Sequence, residues 1–379
     1  MKVCLFGFYN PNYPRNRILV KGLYNNGVEL YEINEPLKPN YILTFHNLKS
    51  LLFATFKLIK KSFNLPKVDY IINLYPGFNS FFLAKFFSKY IFHTPLVYDP
   101  FISLYNTWVN DYKILNRDSI SSVLLRVFEK ITFDKSDILL ADTYHHKYYF
   151  SEEYKIPLSK IFNIFIGADS QKFFPIDPKN FALNEKFSKN KGKFIVSFIG
   201  GFIPLQGIDF ILDAARILNP YKDIIFEIIG GIKGNLLFEK AKKFKKIHQL
   251  NNIIFYNFQP LDELKYFINR SDIQLGIFGE SFKSKIVIPN KVFQAIACKK
   301  TVITAKTPAI KELFTDGKDI ILSKPKSGKS LASKILFLYE NQNLRLKIAQ
   351  NGFYTYKNLL TPKILGLNFK FFLESNLNA

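Results

Sequence analysis

The chain has 379 residues and carries 53 Lys and Arg against 30 Asp and Glu, a net charge of +23. Hydrophobic residues at 48% and charged residues at 22% are globular proportions that exclude a disordered or collagen-like chain, and the length suggests about two domains. Two cysteines, Cys4 and Cys298, exclude a disulfide framework and read as reduced core residues.

From the amino end, KVCLFGF is a short apolar run ending at Gly7. The loop that follows, YNPNYPRN, brings Arg15 and Arg17 to the end of that strand. RILVKGLYNNGVEL reads as a helix ending near Asn25-Asn26-Gly27. Residues 47–67 then place Leu51, Ala54, Leu58 and Ile59 at helical spacing among Lys49, Lys57, Lys60 and Lys61. Two readings fit this segment: a surface helix packed on a sheet, or a basic amphipathic helix on an anionic membrane. YIINLYPG, PLVYDPF, DILLADT and KIFNIFIGAD are further apolar runs closed by turn residues. Such runs alternating with helices predict a parallel sheet in an α/β fold.

Between Asp177 and Lys193 the sequence turns polar and charged, which predicts a linker. A second α/β series follows. FIVSFIGG and IIFEIIGG are strands ending in glycines, Gly200-Gly201 and Gly230-Gly231. IDFILDAARIL places Ile208, Ile211, Leu212, Ala215 and Leu218 on one helical face. NIIFYNFQP, DIQLGIFG, KTVITAK and DIILSK complete the set, and the tail from Thr361 reads as a terminal helix. The expected domains are 1–178 and 190–360, with 361–379 rejoining the first. Two Rossmann-like halves place ligands at the carboxyl ends of their strands.

Several motifs fail. SGKS at 327–330 lacks the first glycine of a phosphate-binding P-loop, because position 323 is Ser. No D-x-D, H-E-x-x-H or Cys-His cluster occurs among His46, His93, His145, His146 and His248, so no metal is expected. No G-x-G-x-x-G follows the first strand and no G-x-S-x-G is present. No apolar run reaches the roughly 18 residues of a membrane span, and no signal-cleavage pattern is seen. The expectation is a cytoplasmic protein, or one peripheral at the inner face of the membrane. The positive charge attracts polyanions, or it reflects a lysine-rich surface of the kind AT-rich coding produces.

The segment GESFKSKIVIPNKVFQAIA, 279–297, is the most informative. Pro289 stands where a helix would begin. Val292, Phe293, Ile296 and Ala297 are expected to face inward, and Asn290, Lys291 and Gln294 to face a ligand. Lys285, Lys291 and exposed backbone N–H groups suit a diphosphate, and Gln294 a ribose hydroxyl. Gly200 and Gly201, in FIGGFIPLQGIDF, free the backbone for close approach to the same ligand.

The chain resembles the group 1 (family 4) retaining glycosyltransferases of the GT-B fold. SFIGGFIPLQGIDFILDAARIL is similar to their strand, glycine turn and following helix. DIQLGIFG and IPNKVFQAIACKKTVITAKTPAIKELFTDGKDIIL resemble their donor-binding block, and SLASKILFLYENQNLRLKIAQNG their closing helices. The resemblance implies two Rossmann-like domains with parallel sheets facing across a cleft. It implies metal-independent sugar transfer from a nucleoside diphosphate sugar to a glycan or lipid-linked acceptor, with no other cofactor. Donor-binding positions would be Gly200, Gly201, Gln206, Gly230, Lys285, Asn290, Lys291, Gln294 and Glu312. Gly7, Arg15 and Arg17 would line the cleft from the first domain. Asp99, near the family's histidine position, and Lys285 are the expected catalytic groups. The sequence departs from the family at Ile286 and Gln294, where paired glutamates stand, and at Gly201 and Gln206, where basic residues stand. Other chemistry on the same fold, such as nucleotide-sugar epimerisation, and non-catalytic binding of a polyanion or anionic lipid remain open. No nucleic acid or specific protein partner is expected.

Overall fold

The structure is a computed structural model that describes residues 1–35, 45–177, 190, 192–279 and 281–377, with only the backbone of 45–48. Much of the predicted linker, 177–193, lies outside the described residues. The chain divides into two units, Met1–Ile166 with Pro362–Ala379, and Gly167–Thr361.

The first unit holds a six-stranded parallel sheet of order β2-β1-β3-β4-β5-β6. Its strands are β1 (Lys2–Gly7), β2 (Glu29–Asn34), β3 (Tyr70–Asn73), β4 (Leu96–Tyr98), β5 (Ile138–Ala141) and β6 (Ile161–Asn163). The central strands are buried along their whole length, as parallel strands covered on both faces must be. The edge strand β2 carries Glu29 and Glu32 and shows no apolar run, which is why the sequence reading did not separate it from the preceding helix.

Helix α1 (Pro14–Asn25) begins at a proline in its first turn. Arg15 and Arg17 therefore sit inside a helix, not in the loop expected from the Pro- and Asn-rich sequence. Pro is preorganised for that first helical position, since its fixed φ suits the helix and its missing N–H is not needed there. Right-handed crossovers put α1 on one face of the sheet. They put α2 (Phe45–Ser62), α3 (Phe81–Phe86), α4 (Ile120–Lys135) and α5 (Tyr144–Tyr154) on the other.

The second unit holds another parallel sheet, of order β12-β11-β10-β7-β8-β9. Its strands are β7 (Phe194–Ile199), β8 (Ile224–Gly231), β9 (Ile253–Asn257), β10 (Ile273–Leu275), β11 (Thr301–Ala305) and β12 (Ile321–Ser323). Helices α6 (Ile208–Ile217), α7 (Leu236–Ile247), α8 (Leu261–Arg270), α9 (Phe282–Ile286), α10 (Asn290–Ala297), α11 (Gly328–Glu340) and α12 (Gln342–Leu359) follow in chain order. The face predicted for α6 is buried in one core with Val196, Phe198, Phe226 and Ile228. Gly328 opens α11 behind a Ser327 cap and packs on Asp213, so the SGKS string is a helix start.

The last helix, α13 (Pro362–Leu377), packs on α1 in the first unit. The Tyr70 hydroxyl donates to Leu373 O at 2.9 Å, and the Phe162 and Phe372 rings stack at 4.0 Å. The two helices meet at glycines: a Cβ on Gly366 would lie 2.0 Å from the backbone of Gly22. Gly366→Val forces these backbones apart, and we expect it to destabilise the first unit by about 3 kcal/mol in urea unfolding. An unchanged midpoint would mean that the contact contributes nothing. Among the described residues no helix is long and apolar enough to cross a membrane.

Candidate functional site

Counting β7 as the first strand of its unit, the second sheet has the order 3-2-1-4-5-6. Its direction of winding reverses between β7 and β10, and a parallel sheet opens a crevice at the carboxyl ends of those two strands. Gly200, Gly230, Gln206 and Lys291, four of the predicted donor residues, are built around that point.

β7 gives way to Gly200, whose N–H donates to Ile229 O at 2.9 Å. Gly230, at φ +120°, stands so close that a Cβ there would lie 2.3 Å from Gly200 O. Only glycine serves at 230. The chain then turns through Pro204–Gln206 into Gly207, at φ +66°. A Cβ on Gly207 would fall 2.4 Å from the N atom of Gly279, so the loops after β7 and β10 touch. The Phe278 N–H donates to Gln206 O at 3.0 Å and ties them together.

Lys291 reaches into this junction from the first turn of α10, behind Pro289. Its Nζ donates to Gln206 Oε1 at 2.6 Å and stands 3.6 Å from the centre of the Phe198 ring. A Cβ on Gly200 would lie 2.6 Å from the same Nζ. Among the described residues no carboxylate pairs with Lys291. Burial pushes its pKa well below the ordinary lysine value. Beside it the buried Asn290 Oδ1 has no hydrogen-bond partner. Gly201 is exposed, with open space where a side chain would be. An ammonium without a carboxylate partner and a bare backbone turn form a site equipped for an anion, while the unpartnered Asn290 oxygen is an acceptor suited to a hydroxyl.

The structure thus brings Gly200, Gly230, Gln206 and Lys291 together, with Gly201 and Asn290 as near chain neighbours. It does not give Gln294 the expected outward face. α10 is buried from Val292 to Ala297, because it packs against β10, β11 and α12, and Gln294 is 8% exposed. Ile286, at the other expected glutamate position, is buried too. Lys285 is exposed on the short helix α9, while the Lys291 ammonium bonds Gln206. Glu312 is half-buried in the turn Ala309–Glu312 after β11.

In the first unit, Gly7 ends β1 at φ +130°, where a Cβ would lie 2.5 Å from Ser80 Oγ. Asp99 and Arg15 are not open groups: they are 0% and 1% exposed and bonded to each other, Arg15 Nε to Asp99 Oδ2 at 2.8 Å. Arg15 Nη1 also donates to Ile164 O at 2.5 Å. Burial pushes the Asp99 carboxyl above its ordinary range, and the Arg15 guanidinium pulls against that shift. Arg17 donates to Asn12 O at 3.2 Å, within its own helix start. Sequence reasoning missed a second pair at the end of β5, where Asp142 Oδ1 and His146 Nδ1 lie 2.6 Å apart. Its only signal is a strand-end Asp four residues before a His, with the Thr143 cap between them.

Residues 180–354 match the family described as Glycosyl transferases group 1. A glycosyltransferase of Methanocaldococcus jannaschii, itself without an assigned reaction, is 23% identical over 93% of this chain and 87% of its own length. The N,N'-diacetylbacillosaminyl-diphospho-undecaprenol alpha-1,3-N-acetylgalactosaminyltransferase of Campylobacter jejuni is 26% identical over 49% of this chain and 47% of its own. The chain spans about half the length of several of the curated relatives it matches. The crystal structure of Anabaena Alr3699/HepE in complex with UDP and glucose superposes with a TM-score of 0.73 at 14% identity, covering 99% of each chain. At that identity the likeness concerns the fold, which is the expected two-domain α/β arrangement of GT-B.

Proposed function

We infer, from the group 1 glycosyltransferase domain that residues 180–354 match, that this chain is a glycosyltransferase. Its reaction moves a sugar from a nucleoside diphosphate sugar to a hydroxyl acceptor. The bond between the anomeric carbon and the diphosphate oxygen breaks, a bond to the acceptor oxygen forms, and the acceptor loses a proton. The main demand on the protein is to stabilise the departing diphosphate.

The observation that carries the donor-site reading is Lys291. An ammonium without a carboxylate partner stands beside the glycine turn at the reversal point of the second sheet. We place the diphosphate there, against Lys291, the Gly200-Gly201 backbone and the Asn290 amide. Gln206 Oε1 receives the Lys291 ammonium, so the positive charge reaches this junction from α10. Lys285, exposed on α9, adds long-range positive charge. Asp99 acts by holding Arg15 in place.

Retention at the anomeric carbon, membership of family 4 and independence from metal belong to the same proposal; the resemblance of the donor block supports them. So does the acceptor class: the undecaprenol-linked substrate named for the Campylobacter jejuni relative supports a lipid-linked glycan. That acceptor would place the enzyme in the cytoplasm, against the inner membrane surface.

A thermal-shift series without metal, using UDP-, GDP-, ADP- and dTDP-sugars, tests the donor reading. A ligand at a hundred times its Kd stabilises by about 2.7 kcal/mol, which for a unit of this size raises Tm by about 5 to 10 °C. One nucleotide class is expected to do so. If none moves Tm and no sugar is transferred to any acceptor, the donor site is misassigned.

A further inference from the structure

Four strands of the first sheet give way to hydrogen-bonding side chains at their carboxyl ends. β3 ends in Asn73 and β6 in Asn163, while Asp99 and Asp142 directly follow β4 and β5. That edge is where a parallel sheet receives a ligand. Two of the four hold unused capacity: Asn73 Nδ2 and Asn163 Oδ1 are buried without a hydrogen-bond partner. Buried amides are normally paired, so the edge is short of a partner that the described residues do not supply.

Asp99 and Asp142 differ in what they have left to offer. Arg15 engages both oxygens of Asp99, Nε to Oδ2 at 2.8 Å and Nη2 to Oδ1 at 3.5 Å. Asp142 is engaged through one oxygen. His146 Nδ1 lies 2.6 Å from its Oδ1, and among the described residues nothing bonds Oδ2. Tyr98 is level with Leu139, so Asp99 stands one residue past that level and Asp142 three. The imidazole is itself fixed. The His146 N–H donates to Thr143 Oγ1 at 3.0 Å, its ring packs on Phe150 at 4.3 Å, and the residue is buried. A strand-end carboxylate clamped at one oxygen by a buried imidazole is a preorganised acceptor at the other.

The local charge selects the ligand group. Burial raises the Asp99 carboxyl, and the negative charge of Asp142 pushes the same way against Arg15, so the two carboxylates are neighbours. Two carboxylates against one guanidinium and one imidazole leave this buried group neutral or negative, whichever form the imidazole takes. Neither suits a phosphate; both suit a hydroxyl, which donates to a carboxylate. Aromatic faces adjoin them. The half-buried rings of Tyr13 and Tyr75 stand 4.9 Å apart. Burial raises the Tyr13 hydroxyl, and Tyr75, Asp142 and Asp99 push the same way, which puts Tyr13 beside the carboxylates. An aromatic face packs on the C–H face of a sugar ring while a carboxylate takes its hydroxyls.

We propose that Asp142 Oδ2 accepts a hydrogen bond from a ring hydroxyl of a sugar on the acceptor, with His146 as the positioning residue that aims it. This rests on the glycosyltransferase reading above and adds a specificity-determining group to it. The first unit reads a neutral pyranose, and its carboxylates keep phosphate groups off that spot.

Saturation-transfer NMR of the full-length protein with the methyl glycosides of glucose, galactose, mannose, N-acetylglucosamine and N-acetylgalactosamine tests it. The wild type should bind at least one. Asp142→Asn keeps an oxygen for His146 and turns the free one into an N–H2 donor, so affinity should fall about tenfold while the urea midpoint holds. His146→Leu should lose as much, and His146→Asn, whose Nδ2 can stand where Nδ1 stood, should regain most of it. Monodeoxy derivatives of the bound glycoside need no variant. One deoxy position should cost the wild type about tenfold and cost Asp142→Asn nothing further. Binding of none of the glycosides overturns the proposal, as does a folded Asp142→Asn that binds like wild type. A deoxy series without a sensitive position overturns it even if every variant unfolds. The nucleotide-sugar thermal shift, read on the same samples, separates the two readings: glycoside binding lost with the shift intact concerns Asp142 alone, and the reverse concerns the donor site alone.

Discussion

Lys291→Met will leave the protein folded and weaken its binding of a nucleoside diphosphate sugar by about ten- to a hundredfold, the value of one charged hydrogen bond. Methionine matches the lysine stem in volume, so packing on Phe198 survives, while the ammonium is lost. Because burial depresses the pKa of Lys291, the folded state holds fewer protons than the unfolded state between that pKa and the ordinary lysine value. Wild-type stability therefore rises with pH through that window. The methionine variant lacks this slope and is at least as stable as wild type at neutral pH. Urea titrations at neutral and alkaline pH measure the stability arm, and calorimetry with the nucleotide-sugar the binding arm. A variant that unfolds would make Lys291 a strut of the β7 turn. A variant that binds normally would send the diphosphate elsewhere.

The second large effect is expected from Arg15→Met. It leaves the Asp99 carboxylate buried and unpaired, and removes the bond from Arg15 to Ile164 O that ties α1 to the end of β6. Breaking one side of a buried pair costs about 3 to 5 kcal/mol. Trp108 is the single tryptophan and lies in the first unit, so its fluorescence reports this loss selectively. Arg15→Met combined with Asp99→Leu removes both charges and should recover most of the stability. If Arg15→Met instead keeps its urea midpoint and loses only sugar transfer, the pair takes part in the reaction and does not hold the first unit together.

These cases show what a sequence carries. The strands of the second sheet read directly as apolar runs, because parallel strands covered on both faces have no polar alternation. Gly200, Gly230 and Lys291 were legible because glycine after a strand and Pro-Asn-Lys at a helix start have local causes. Arg15 and Asp99 are 84 residues apart, and nothing local says that they cancel each other. Gln294 was misplaced for a related reason: helical spacing gives two faces, and only the packing of β11 and α12 around α10 shows that both are covered.

The glycine contact between α1 and α13 has a consequence for biosynthesis. The first unit is assembled from both sides of Gly167–Thr361, so α13 emerges from the ribosome only after the whole second unit has been made. The second unit is continuous and is free to close as soon as it emerges, while the first waits with one side of α1 bare. For that interval the nascent chain shows an apolar surface that the finished protein hides, and chaperone dependence during translation should map to the amino-terminal half.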